Sequence, residues 1–132
     1  MPLARISVPS SLSPAKVRAL ADAVHHGLVT TCNVPDKERF QLVSCYPSGS
    51  MILDPTFPNV CRTAEACVIE ILFLKGRTTE QKARLFQTIA ARALDAGFCN
   101  DDIMIALTEN APTDWSLGRG EPFEKDHRSA LP

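Results

Sequence analysis

Two stretches of the chain carry apolar residues at helical spacing, and each is flanked by apolar runs too short to be helices. The first opens at Ser13-Pro14, an N-capping residue followed by proline at the first helical position. It sets Val17, Leu20, Ala21, Val24 and Leu28 on one stripe and ends before Asn33-Val34-Pro35. The second opens at Thr78-Thr79-Glu80-Gln81, where Thr78 and Gln81 have capping-box spacing. Its expected stripe is Phe86, Ile89, Ala90 and Ala93, and Gly97 stops it. The flanking runs are Leu3 to Val8, Phe40 to Tyr46, Cys67 to Leu74 and Ile103 to Thr108. All are rich in β-branched and large apolar residues and bounded by Pro, Gly, Asn or Asp, which predicts four strands.

The order of elements is therefore β-α-β twice, the second copy displaced by roughly 64 residues. A β-α-β crossover makes its two strands parallel. The expected fold is α/β: two β-α-β units, one a repeat of the other, forming one four-stranded mixed sheet with two helices on one face. The first unit runs from about residue 2 to 46 and the second from about 66 to 109. A linker with Pro55 and Pro58 joins them, a polar tail covers 110–132, and residues 1–132 make one domain. Val68, Ile69, Ile71, Leu72, Phe73 and Leu74 are apolar at both parities, as in a strand buried on two sides. Helices cover only one face, so the cheapest cover for the other is a second copy of the chain, and a homo-oligomer is expected.

Composition narrows the classes. In 132 residues, 45% are hydrophobic and 22% charged, the make-up of a folding domain rather than a disordered one. The net charge of −1 and the absence of any basic run longer than two residues argue against nucleic acid as a main partner. The longest apolar stretch, Cys67 to Leu74, is too short to span a membrane, and the first residues lack the marks of a secretory signal, so a cytoplasmic protein is expected. The five cysteines, Cys32, Cys45, Cys61, Cys67 and Cys99, contain no Cys-x-x-Cys pair and read as reduced. His25 and His26 are helix neighbours that cannot share a face, and His127 lies in the tail, so no metal-ligand spacing arises. Gly118-Arg119-Gly120 is too short to cradle a nucleotide phosphate, and no nucleotide cofactor is expected.

Candidate chemistry begins at Pro2. Removal of an initiator methionine before a small residue leaves a secondary amine at the start of a strand. Such an amine acts as a base when neutral, as an acid when protonated, or as a nucleophile toward a carbonyl. Burial and nearby cations pull its pKa toward neutrality.

Pro2 opening a strand, Val34-Pro35 before the second strand, Gly76-Arg77-Thr78 between third strand and second helix, and the segment from Glu109 to Gly120 together resemble the tautomerase superfamily. Within it the resemblance is closest to malonate semialdehyde decarboxylase and its relatives, and it runs from Pro2 to about Phe123. It implies a catalytic amino-terminal proline, a homotrimer, no metal or organic cofactor, and a small carbonyl acid as substrate. Arg77, after Gly76 at the end of the third strand and just before a helix N-terminus, suits a carboxylate anchor on physical grounds as well. Lys75 matches a position where those decarboxylases can carry a second arginine. Either Asp36 or Glu38 matches their acidic residue, the count from Pro35 to Arg39-Phe40-Gln41 favouring Glu38. Trp115 resembles the aromatic wall of the pocket, and Leu117 stands where the pattern has phenylalanine.

The resulting expectation is an amino-terminal-proline enzyme that decarboxylates, hydrates or tautomerises a small oxo acid, with Pro2, Glu38 and Arg77 catalytic and Arg77, Lys75, Trp115 and Leu117 around the substrate. The alternatives are a keto-enol tautomerase of the phenylpyruvate type and a non-catalytic trimeric binding or signalling module. Retention of Met1 favours the last, because an acylated proline nitrogen has no basic lone pair.

Overall fold

The computed structural model describes residues 1–123; His127 and the rest of the tail from 124 lie outside the described residues. Four strands, β1 (Pro2–Pro9), β2 (Gln41–Tyr46), β3 (Cys67–Leu74) and β4 (Ile103–Asn110), alternate with two helices, α1 (Pro14–Cys32) and α2 (Thr79–Asp95), in the order β1-α1-β2-β3-α2-β4. The sheet order is β2-β1-β3-β4. β1 runs parallel to β2 and β3 parallel to β4, while the central β1–β3 pair is antiparallel. This is the mixed sheet expected of two joined β-α-β units.

The helix starts follow the capping residues. Ser13 accepts from the Lys16 N–H at 3.1 Å and Pro14 occupies the first turn of α1. At α2 the capping box closes, with Gln81 N–H on Thr78 Oγ1 at 3.1 Å and Thr78 N–H on Gln81 Oε1 at 2.9 Å. Each such cap satisfies helix donors that would otherwise lack a partner. Asn33 ends α1 in the left-handed region at φ 57°.

The core lies between sheet and helices. Ala4, Ile6 and Val8 of β1 and Cys67, Ile69, Ile71 and Phe73 of β3 point into it, against Leu20, Val24 and Leu28 of α1 and Leu85, Ile89 and Ala93 of α2. One expectation fails: Leu85, not Phe86, begins the buried stripe of α2, and Phe86 is exposed. The reason is the helix–helix contact. A Cβ on Gly27 of α1 would meet Ile89 Cγ1 at 3.0 Å and Leu85 Cδ1 at 3.1 Å, so the missing side chain is the space into which these two residues pack. That seat sets the rotation of α2 about its axis and turns Phe86 outward.

The second sheet face is open in the single chain. Leu3, Val68, Leu72 and Leu74 are half-buried there, while Arg5 and Glu70, opposite one another across the β1–β3 pair, are exposed. On the edge strands, Leu42 and Met104 leave nearly half their surface exposed at 48% and 46%. The linker between the units is fastened to the start of β4 by Asp102, whose buried carboxylate accepts from Thr63 N–H at 2.7 Å and Thr63 Oγ1 at 2.5 Å.

Filling the helix seat tests this packing. Gly27→Val is expected to lower stability by about 1–3 kcal/mol through overpacking. Chemical denaturation reads it as a lower midpoint at unchanged slope.

Candidate active site

The antiparallel register sets Pro2 directly opposite Phe73, so the first residues of the chain lie beside the end of β3. Gly76, at φ +124°, then turns the chain in a conformation that side-chain-bearing residues rarely adopt, and delivers Arg77 just before α2. The Arg77 guanidinium is held in three ways. Nη1 donates to Leu74 O at 3.0 Å, Nη2 donates to Cys32 O at 3.2 Å, and the group lies over the Phe73 ring, 5.2 Å from its centroid. These bonds use only part of its fork of donors. The remainder suits a carboxylate gripped through two parallel bonds.

Glu38 approaches from the other side. Its Oε2 lies 3.6 Å from the Met1 amine, and Met1 and Pro2 are both buried. Burial of the terminal amine pushes its pKa below the ordinary value; the Glu38 carboxylate pulls it back up and the Arg77 guanidinium adds to the fall. An amine, a carboxylate and a guanidinium thus converge at one end of the sheet.

Of the two acidic candidates, Glu38 faces the amine and Asp36 does not. Residues Pro35 to Glu38 form a turn closed by Glu38 N–H on Pro35 O at 3.0 Å. Asp36 turns toward α1, where His25 Nε2 donates to its main-chain oxygen at 3.0 Å and lies 3.3 Å from Oδ1. Counting residues across Asp36-Lys37-Glu38 favours the same choice, but only the turn makes it a geometric one.

Lys75 follows the end of β3, and Trp115 and Leu117 follow β4. The Lys75 N–H donates to Asn110 O at 2.8 Å and its side chain is exposed. Trp115 Nε1 donates to Asn110 Oδ1 at 2.7 Å, and Asp114 Oδ2 accepts from Ala111 N–H at 2.9 Å. The Asn, Asp and Trp of this segment therefore fold the turn after β4 onto itself. β3 lies between β4 and β1, which puts that turn two strand spacings, about 10 Å, from the strand of Pro2. Leu117 is exposed.

His25, weighed from the sequence only as a metal ligand, is buried. Its position offered a signal: residue 25 falls on the same stripe as Ala21, Val24 and Leu28, and a polar side chain on an apolar stripe needs a partner. Cys67 is no nucleophile, since burial, with Asp102 and Glu65 nearby, pushes its thiol up to about 12. A cavity of about 330 Å³ lies at the opposite end of β1, lined by Pro9, Ser10 and Tyr46 among others, away from the amine. Among the described residues no group of three or more His, Cys, Asp or Glu is placed to hold a metal ion.

Comparison with known proteins agrees with this architecture. A family model for tautomerase enzymes matches residues 38–118. The chain is 33% identical over 121 residues to "Probable tautomerase YusQ" of Bacillus subtilis (strain 168), covering 91% of this chain and 95% of that one. The crystal structure of FG41 malonate semialdehyde decarboxylase inhibited by 3-bromopropiolate superposes with a TM-score of 0.90 at 35% identity, covering 98% of this chain and 99% of that one. A fused 4-OT solved as a symmetric trimer shares the fold alone, with a TM-score of 0.79 at 20% identity over 96% of this chain and 99% of that one. On the family match, the identity to YusQ and the shared fold together, the chain belongs to the tautomerase family.

Proposed function

We propose that the mature chain begins at Pro2 and acts on a small oxo acid, with the proline amine as the reacting group. The observation that carries this reading is the convergence of the buried amine, Glu38 and the Arg77 guanidinium at one end of the sheet. Loss of Met1 turns the amide nitrogen of Pro2 into a secondary amine in that setting. Arg77, with Lys75 nearby, holds the substrate carboxylate. Glu38 balances the charge of the amine and moves a proton or activates water. Trp115 and Leu117 bound the substrate.

Two chemistries fit. In decarboxylation of a 3-oxo acid such as malonate semialdehyde, Pro2 either forms an iminium with the aldehyde or, protonated, polarises its carbonyl; both accept the electrons that the departing carboxylate leaves behind. Hydration needs the same polarised carbonyl and a water. In keto-enol tautomerisation of a phenylpyruvate-like acid, neutral Pro2 carries the proton from carbon. The likeness to the decarboxylase structure supports the first, and the name of the curated relative supports the second.

The open sheet face supports a homotrimer with those faces turned inward; the fused 4-OT that shares the fold was solved as a symmetric trimer. Sedimentation at micromolar concentration is expected to show three chains, and a stable monomer would contradict it.

Activity supplies the direct test. A chain engineered to keep Met1 is expected to lose turnover of both malonate semialdehyde and enol-phenylpyruvate, since an amide nitrogen is neither basic nor nucleophilic. Arg77→Ala in the mature chain is expected to cost 10²-fold or more in kcat/KM, about 3 kcal/mol. The pH–rate profile separates the chemistries. A neutral amine gains rate as pH rises through its pKa, and a polarising ammonium loses it. Removing the Arg77 cation moves that limb to higher pH, and Glu38→Gln moves it to lower pH. Turnover by the Met1-blocked chain at the mature rate would exclude Pro2.

A further inference from the structure

We propose that His25 is a positioning residue for the amine site: by holding the main-chain oxygen of Asp36 it fixes the turn that presents Glu38 to the amine. The inference rests on the reading of Glu38 given under Proposed function and extends it to a side chain on the far side of the loop.

His25 is buried on the apolar stripe of α1, where a leucine or valine would pack at no polar cost. Its acceptor lies in a segment without regular structure between α1 and β2. The main-chain oxygen of Asp36 is 3.0 Å from Nε2, two residues before Glu38 and inside the turn closed by Glu38 N–H on Pro35 O. Fixing that oxygen fixes how the whole turn is tilted. The stretch just downstream is fastened to the same helix: Arg39 Nη2 donates to Asp22 Oδ1 at 2.7 Å, and Gln41 Nε2 donates to Ala21 O at 2.8 Å. The carbonyl of Cys32, at the end of α1, holds Arg77. One helix thus references both charged groups that face the amine, Glu38 through His25 and Arg77 through Cys32.

The bond that counts is to the main chain. The Asp36 carboxylate is 90% exposed, and an ion pair so exposed contributes little. Asp36→Ala should therefore be tolerated where His25→Leu is not.

The test uses the chain beginning at Pro2 and reads two quantities. One is the pKa of the proline amine, followed by NMR titration of nitrogen-15-labelled proline; the other is turnover of malonate semialdehyde and of enol-phenylpyruvate. His25→Leu keeps the stripe apolar and is expected to lower the amine pKa, in the direction of Glu38→Gln. It should reduce kcat on the order of tenfold with KM within about twofold. His25→Asn, polar but too short to reach the carbonyl, carries the same expectation should the leucine variant fold poorly. His25→Gln, long enough to donate, should restore wild-type values, and Asp36→Ala should retain them. In a Glu38→Gln background His25→Leu should add nothing further, whereas a merely structural loss would add in full. The proposal is overturned if His25→Leu leaves the amine pKa at the wild-type value, if Asp36→Ala reproduces its effect, or if the two losses add. If the wild-type chain turns over neither probe while its amine pKa still follows His25 through Glu38, the positioning role stands and the assigned chemistry falls.

Discussion

The antiparallel pairing of β1 with β3 is the constraint on which the candidate site depends. Each β-α-β unit is parallel within itself, and only where the two units meet does the chain run both ways. That junction brings the first residue of one unit's leading strand beside the last residues of the other's, with Pro2 opposite Phe73. A slip of one residue would turn Ala4, Ile6 and Val8 out of the core and carry Pro2 with them. The register that buries the core is therefore the register that places the amine.

From that junction the chemistry is assembled by short-range contacts. Phe73 lies under the guanidinium that Gly76 delivers four residues later, and the end of α1 supplies the carbonyl that steadies it. Gln81 Nε2 donates to Thr31 O at 3.3 Å, tying the start of α2 to the same helix end. The amine then feels opposed influences: burial and Arg77 lower its pKa, and Glu38 raises it. Their balance sets how readily the amine holds or gives up its proton.

Much of this fold was legible in the sequence because the signals are local. Ser13-Pro14 and the Thr78–Gln81 pair mark the helix starts, and the short apolar run Cys67–Leu74 marks β3 over its observed length. What escaped depends on contacts between distant residues. The outward turn of Phe86 is set by the missing side chain of Gly27, roughly 60 residues earlier, which no window over α2 contains. Asp36 and Glu38 differ by only two positions, and the turn that points them different ways is hydrogen-bonded to α1 through His25. Lys75, Trp115 and Leu117 come from resemblance: Lys75 follows the end of β3, with its N–H on Asn110 O, and Trp115 and Leu117 follow β4, where Trp115 Nε1 donates to Asn110 Oδ1. The half-apolar open face of the sheet was legible as a surface in need of cover, through the double parity of β3.

The central claim is that the reactive group of this tautomerase-family protein is the amine of Pro2, with Arg77 as its anchor. The inhibitor present in the decarboxylase structure offers a direct probe. The mature chain is treated with 3-bromopropiolate, and the modified residue is located by peptide mass spectrometry. The account predicts one label per chain on the nitrogen of Pro2, strongly slowed by Arg77→Ala. A label confined to the exposed thiols Cys45, Cys61 or Cys99, with activity lost and Pro2 unmodified, would contradict it.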